Sequence, residues 1–394
     1  MEKVGKLRIK DWSLVIKNII KKHSKLLIVY SIFLITICLL SFIKIDYEVV
    51  IPAGTSGVDS IIEIDGKSNE DIDINIVSVY SYSRISVLDY IFGNLNKYDT
   101  VSKTNDYVVT DLDLSYTSGE IQKEVSINNS LIAGYTAAGY DIEYTDVNDN
   151  GYVIHTLATY ASSNLLLKDQ ILAVNGEKVS RENSLSQLIR KMVKFSYTRV
   201  SDEIHVDENG LEEYKTIFTI KRKGNIQPIE VTVIPYAWTY VYNDQNESCK
   251  YPLFGISVFE YNKITSSNPE FTKKSVNTIG PSGGLMQSFY VYELLTGGKL
   301  SKGLKIVGTG TVDHLGNAGP IGGIYQKVIA AHLNKADIFF VPVSSSDYDV
   351  YSKEDNYIEA YASYKALGKT DMKLVAVSSL NDIINYLSSQ KGGN

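Results

Sequence analysis

The sequence predicts an α+β multidomain protein behind one N-terminal transmembrane helix. Three observations predict it. Residues 26–43 carry no charge. Residues 46–117 and 140–236 are rich in short runs of alternating apolar and polar residues bounded by turn residues, the mark of strands. Residues 252–390 alternate strand-like and helix-like segments, as α/β domains do. The 394 residues suffice for roughly two or three domains. A hydrophobic content of 44% with 21% charged residues is ordinary for folded protein and argues against long disorder.

The first element is the apolar segment 26–43, "LLIVYSIFLITICLLSFI". At about 1.5 Å per residue it reaches roughly 27 Å, enough for a hydrocarbon core. Residues 1–25 hold eight Lys or Arg and two acids, so the basic flank predicts a cytoplasmic N-terminus and an extracytoplasmic body. A signal peptide would have a shorter apolar run, and no A-x-A site follows in "KIDYEVVIPAG", so an uncleaved anchor is expected. The whole chain is −6 and its first 25 residues are +6, which leaves −12 for residues 26–394. A body that acidic excludes nucleic acid as a partner. Of the two cysteines, Cys38 falls in the anchor and Cys249 outside it, so no disulfide is expected. No Cys/His cluster has zinc spacing, and no metal or cofactor is expected.

Residues 45–139 read as a β-rich connector. "YEVVIPAG", "INIVSVYSYS" and "DYVVTDLDLSY" have strand character, and "VLDYIFGNLNKYDTV" holds a helix. Residues 119–138 form a second helix, with Ile121, Val125, Ile127, Leu131, Ile132 and Tyr135 at mostly helical steps and Gly139 as its stop.

Residues 140–236 form the next unit. "GYVIHTLA" is a strand, and "DQILAVNGEKV" is a strand, an Asn175-Gly176 turn and a return strand. "SLSQLIRKMVKF" is a helix with Leu185, Leu188, Ile189 and Met192 on one face. A polar insertion, "SYTRVSDEIHVDENGLEEY", precedes a hairpin around Gly224. This order, centred on "LLLKDQILAVNGEKV", resembles a bacterial PDZ domain. The family usually has Gly-Asp where this chain has Lys168-Asp169, and Gly-Pro-Ala where it has "TYASSN". The resemblance implies a groove that takes extended peptides, often free C-termini, by β-augmentation.

In residues 252–390, "LFGISVFEY" is a strand. Leu285, Met286, Phe289, Tyr290, Leu294 and Leu295 mark a helix that stops at Gly297-Gly298. "LKIVGTGTVDHLGNAGPI" is a strand, a turn at Leu315-Gly316-Asn317 and a return strand. The next helix, "GGIYQKVIAAHLNKA", has Ile324, Val328, Ala331 and Leu333 on or near its buried side. "ADIFFVPV" and "MKLVAVS" suit interior strands, and Ser379 caps a last helix with Asp382 three residues on.

Ser282 stands at the head of the first of these helices, in "TIGPSGGLMQSF". The segment alone permits a turn, an anion-binding nest or a mounted nucleophile. A serine hydroxyl needs a base to attack. His314 and His332 lie in unremarkable settings, and the G-x-S-x-G elbow is absent. Lys327 is the better base: it follows the tight "GPIGG" turn, sits in the first turns of a helix and has Ile324 and Val328 beside it. Burial would lower its pKa, and the helix N-terminus would add modestly to that effect. Lys305 and Lys335 border strands or a helix end and are expected in solvent.

"GPSGGLM", "GTGTVDHLGNAGPIGGIYQK" and "ADIFFVP" together resemble the proteolytic domain of Lon-type serine proteases, above all membrane-anchored forms with a PDZ domain ahead of it. The resemblance implies Ser282 as nucleophile and Lys327, 45 residues on, as general base. It implies Thr309 as support for the lysine amine, and it places Gly283 where the family commonly has Ala. The expected plan is a cytoplasmic basic segment (1–25), a transmembrane helix (26–43), the β-rich connector (45–139), a PDZ-like domain (140–236) and a Lon-type α/β protease domain (252–390). The function expected is an ATP-independent serine endopeptidase, since no G-x-x-x-x-G-K-[ST] occurs in the sequence. Its partners would be protein or peptide substrates, drawn by their tails into the PDZ groove, and the lipid bilayer. Family members also form homo-oligomeric rings. The alternatives are an inactive PDZ scaffold at the membrane and a phosphate nest built on "GPSGG" and "GTGT".

Overall fold

The computed structural model describes residues 17–18, 20–104, 112–192, 197–199, 206–207, 215–242, 247–275 and 279–391. It is a mixed α+β structure in two compact units, Met1–Ile51 with Ser81–Thr104, and Pro52–Tyr80 with Asn105–Asn394. The chain begins with α1 (Ser24–Phe42), β1 (Tyr47–Gly57), β2 (Ile62–Ile64), β3 (Asp73–Ser83), α2 (Val87–Leu95) and β4 (Thr100–Lys103).

In the first unit, α1 has no buried residue and a mean hydropathy of 2.3. Among the described residues it is the one helix long and apolar enough to cross a membrane. It ends where Ile43 turns extended. The start of β1 then pairs antiparallel with β4, Tyr47 opposite Lys103 and Val50 opposite Thr100. Helix α2 is the one expected within "VLDYIFGNLNKYDTV". A capping box fixes its start: Asp89 N–H donates to Ser86 Oγ at 3.1 Å, and Ser86 N–H donates to Asp89 Oδ2 at 3.0 Å.

The second unit continues with α3 (Leu112–Ala138), β5 (Asp141–Thr145), the single turn α4 (Val147–Asn150) and β6 (Tyr152–Leu157). β7 (Gln170–Val174), β8 (Glu177–Lys178), α5 (Leu185–Met192), β9 (Tyr197–Arg199) and β10 (Val206–Asp207) follow. Next come β11 (Thr216–Lys221), β12 (Ile229–Val233), β13 (Tyr236–Tyr242), β14 (Glu247–Leu253), β15 (Ile256–Glu260), β16 (Lys263–Asn268) and β17 (Phe271–Lys273). α6 (Gly284–Thr296), β18 (Lys305–Gly308), β19 (Thr311–Val312), β20 (Ala318–Gly319), α7 (Ile324–Leu333) and β21 (Ile338–Pro342) lead to the last elements, α8 (Tyr348–Tyr351), α9 (Asp355–Ala366), β22 (Lys373–Val377) and α10 (Leu380–Lys391).

Two sheets carry the main cores of this unit, and a further antiparallel sheet, β10-β13-β14-β9, stands apart from them in the ladder. One is a parallel sheet in the order β22-β21-β18-β3, covered on both faces. Ile74, Ile306, Ile338 and Phe340 face a core shared with α3, α6 and α10, through Leu131, Phe289 and Ile383. Val77, Val307, Phe339 and Val341 face the other core, with Val328 and Ala331 of α7 and Ala360 of α9. Burial on both faces is why "IFFV" is apolar at every position. The other main sheet is the antiparallel β12-β11-β7-β6-β15, closed over Ile154, Leu165, Ile171, Leu185, Leu188, Phe218 and Ile220.

Several boundaries differ from the sequence reading. Strands of the segment read as a connector pair with those of the C-terminal segment: β3 with β18, and β2 with β17. The sequence order groups "LFGISVFEY" with the C-terminal domain, yet its strand β15 pairs with β6 in the antiparallel sheet. "DYVVTDLDLSY" was expected as a strand. Residues 105–111 lie outside the described residues, and Leu112–Tyr116 open α3, the long helix whose later turns pack on α6. β22 is an edge strand rather than an interior one, and Leu333 is 59% exposed rather than buried. Much of the polar insertion at 196–214 also lies outside the described residues. Lys168 takes φ +72°, the left-handed conformation that a glycine adopts without strain. Asp169 beside it is buried and forms a two-point ion pair with Arg222, at 2.8 and 2.6 Å.

Candidate active site

The site is built where α3, α6, the "GTG" loop and α7 meet. Ser282 is half-buried in the turn that leads into α6. Gly284 N–H donates to the Pro281 carbonyl at 3.2 Å and Gln287 N–H to the Gly283 carbonyl at 3.0 Å, so turn and helix are one piece. The "GTG" loop is laced to this turn. Gly310 N–H donates to the Ser282 carbonyl at 2.7 Å, and Thr309 Oγ1 donates to the same oxygen at 3.0 Å. Leu285 N–H returns a bond to the Gly310 carbonyl at 3.1 Å. Such lacing demands small residues: a Cβ on Gly308 would stand 2.4 Å from Met286 Sδ.

Helix α3 holds the turn from the other side. Ser126 Oγ donates to the Pro281 carbonyl at 2.9 Å, Asn129 Nδ2 to the Val312 carbonyl at 3.2 Å, and Ser130 Oγ to Gln287 Oε1 at 3.4 Å. Gly134 lets α3 approach α6, since a Cβ there would lie 2.5 Å from Val291 Cγ1. The sequence marks the helix at 119–138 by its apolar spacing and says nothing of a part in the site. The signal that marks it is polar: Ser126, Asn128 and Ser130 are all buried, on the helix that also buries Val125, Ile127 and Leu131.

Lys327 sits in the first turns of α7, which starts at Gly323 in the left-handed conformation, φ +68°. Its side chain is 3% exposed. Nζ donates to Thr309 Oγ1 at 3.2 Å. Thr309 thus accepts from the lysine and gives its own proton to the Ser282 carbonyl, joining the two segments. Burial brings the lysine down from the ordinary 10.5 to about 8. Ser282, Gly283 and Lys327 line one cavity of about 110 Å³, with Ile61, Ile76 to Val79, Lys123, Ile279 and Gln287 around them. Lys123 and Gln287 carry no separate signal in the sequence. Lys123 lies 3.4 Å from Glu120 Oε1, so this second cation is countered.

The structure therefore brings Ser282, Gly283, Thr309 and Lys327 together. Gly283 is close-set: a Cβ there would meet Ile76 Cγ2 at 3.0 Å and Gln287 Nε2 at 3.3 Å. The two C-terminal histidines are engaged elsewhere, His332 with Thr370 Oγ1 at 3.0 Å and His314 against the Tyr144 ring at 6.0 Å. Among the described residues no three His, Cys, Asp or Glu side chains gather as a metal site. A buried amine of lowered pKa that lines the same cavity as a serine at a helix start is an arrangement suited to acyl transfer.

No protein-family model matches the chain. Over 113 residues, 28% of its length, it is 30% identical to the Lon protease of Campylobacter concisus (strain 13826). The matched part is 12% of that much longer protein. What the comparison gives is a Lon-like relationship over somewhat more than a quarter of this chain, and with it a hint of proteolytic function.

Proposed function

We propose that this protein is a membrane-anchored serine endopeptidase in which Ser282 is the nucleophile and Lys327 the general base. The observation that carries the reading is the burial of Lys327, with a pKa near 8, on the wall of the cavity that Ser282 shares. Neutral Lys327 takes the Ser282 proton as Oγ attacks a peptide carbonyl. The N–H groups of the 282–283 turn, at the positive end of α6, stabilise the oxyanion, a contribution of about 3 kcal/mol per donor. The C–N bond then breaks, the lysine ammonium returns its proton to the leaving amine, and water hydrolyses the acyl-serine. Thr309 fixes the lysine amine and the Ser282 main chain with one hydroxyl.

The substrates of this reading are flexible tails, exposed loops or unfolded segments, cleaved without ATP, from extracytoplasmic or membrane-proximal proteins. The PDZ-like part would select them. β15 pairs with β6 along one side and is the end strand of its sheet, so its other side offers main-chain groups to an extended peptide. A cavity of about 460 Å³ opens at the start of β15, lined by Leu253 to Ser257, Ala158, Tyr160 and, from α3, Leu114 and Ser118. Helix α3 thus runs from this cavity to the serine turn, which gives peptide binding a route to the site.

The test is cleavage of an unfolded protein by the full chain in lipid, without ATP. Slow cleavage is expected, abolished by Ser282→Ala and by Lys327→Ala. Cleavage that survives both changes removes the dyad. Tail binding with no cleavage by the wild type makes the protein a scaffold.

A further inference from the structure

Helix α2 shows solvent the face that a globular protein buries. Leu88, Ile91, Phe92 and Leu95 fall on one side of it at helical spacing. Ile91, Phe92 and Leu95 are nevertheless 41%, 61% and 75% exposed. The packed side is carried by Tyr90 and Gly93 instead. Tyr90 meets the Tyr47 ring edge-on at 4.8 Å. Gly93 lies so close to the strands that a Cβ would stand 2.6 Å from Val101 Cγ2 and 3.2 Å from Val49 Cγ2. The helix is therefore held by its small face, and its large apolar face points away.

Its position is set by α1. Val87 N–H donates to the Ile43 carbonyl at 3.0 Å, Ile45 N–H donates to the Ile85 carbonyl at 2.9 Å, and Lys44 is bridged to Ser86. These main-chain bonds tie the first turn of α2 to the residues on which α1 ends. Those residues are apolar and exposed too, Phe42 at 76% and Ile43 at 52%. Basic side chains stand at both ends of α2, Lys44 before it and Lys97 after it, the latter 4.8 Å from the centre of the Tyr98 ring. Aliphatic and Phe side chains on one face, with lysine and tyrosine at the margins, are the composition of an interfacial helix.

We infer that α2 lies in the headgroup layer of the bilayer that α1 crosses, with Ile91, Phe92 and Leu95 directed into the lipid. The inference rests on reading α1 as a membrane span. The occupant of the face is lipid rather than protein because main-chain hydrogen bonds fasten the first turn of α2 to the end of α1, which keeps the face beside the span. The first unit is then a seat as well as a stalk, and the bilayer fixes how that unit is oriented.

The experiment uses the full chain in phosphatidylcholine vesicles, with Cys38→Ser and Cys249→Ser. A fluorophore is attached in turn to Phe92→Cys, Leu95→Cys, Asn94→Cys on the exposed polar flank of α2, and Leu34→Cys in mid-α1. Quenchers are lipids spin-labelled high on the acyl chain, lipids labelled near its end, and aqueous iodide. Positions 92 and 95 should be quenched by the shallow label several-fold more strongly than position 94, and be shielded from iodide. Position 34 should respond to the deep label. Iodide reaching 92 and 95 as readily as 94, with 34 still in lipid, overturns the seat and leaves the span intact. Iodide reaching 34 as well removes the span and the seat with it. Shielding of 92 that vanishes on dilution in lipid assigns the face to a second copy of the chain and also overturns the proposal.

Discussion

Replacing Lys327 by Met should make the protein more stable at pH 7 while abolishing cleavage. Met keeps the side chain as far as Cε and removes the amine from a site only 3% exposed. Burial holds the lysine at about 8 in the fold against the ordinary 10.5, a penalty on the charged form of roughly 3 kcal/mol. Below pH 8 both folded and unfolded chains hold the proton, so the fold bears this whole penalty. Between pH 8 and 10.5 the unfolded chain binds more protons, and the wild type gains stability as pH rises. The variant loses the bond to Thr309 Oγ1, about 1 kcal/mol. It should therefore be about 2 kcal/mol more stable at pH 7, a rise of about 3 °C in melting temperature. This advantage should shrink to nothing, then reverse, as pH approaches 10.5. Calorimetry of both proteins from pH 6 to 10.5 measures it. A variant less stable than wild type at pH 7, or an advantage independent of pH, would show that Lys327 carries its charge without penalty. The case for Lys327 as base would then fall.

Three further outcomes follow from the same structure. Cleavage should rise about tenfold between pH 7 and pH 9 and level off, because only the neutral lysine accepts the Ser282 proton and its pKa is about 8; a rate profile flat across pH 7 to 9 contradicts this. Gly283→Ala needs Ile76 and Gln287 to give by only a few tenths of an ångström, so cleavage should stay within about threefold of wild type. Gly284→Ala would set a Cβ 2.5 Å from Ser126 Oγ and 2.9 Å from Val312 Cγ1, and should cost about 2 kcal/mol and most of the activity; melting and cleavage of the pair decide whether that order holds. His155 is buried against Phe259, ring centres 4.3 Å apart, and burial lowers it from 6.5 to about 4. The fold excludes a proton that the unfolded chain accepts, so stability should fall by about 3 kcal/mol as pH drops from 6.5 through 4. Urea titrations of wild type and His155→Asn should differ in that slope; equal slopes refute it.

Much of the local structure was legible. The uncharged run gave α1, Gly139 and Gly297 ended their helices in the left-handed conformation, and the Asn175-Gly176 turn joined its strands. These signals are local, since each depends on residues within a turn or two of one another. The role of α3 was not legible, because Ser126, Asn129 and Ser130 bond to carbonyls and a glutamine 155 to 183 residues away. Nor was the membership of β3 and β15. Strand propensity marks a strand but does not say which neighbour completes its ladder.

Taken alone, the sequence determined the order of the elements, the apolar helix and the two motifs that contain Ser282 and Lys327. Only the tertiary structure decided that α7 buries Lys327, that Thr309 spans the distance to the serine turn, and that α3 clamps that turn. The reason is physical. A lysine pKa falls through desolvation, and desolvation is supplied by side chains brought from distant parts of the chain. The same holds for α2: its apolar stripe is written in the sequence, but the side it turns outward was fixed by Gly93 closing on Val49 and Val101.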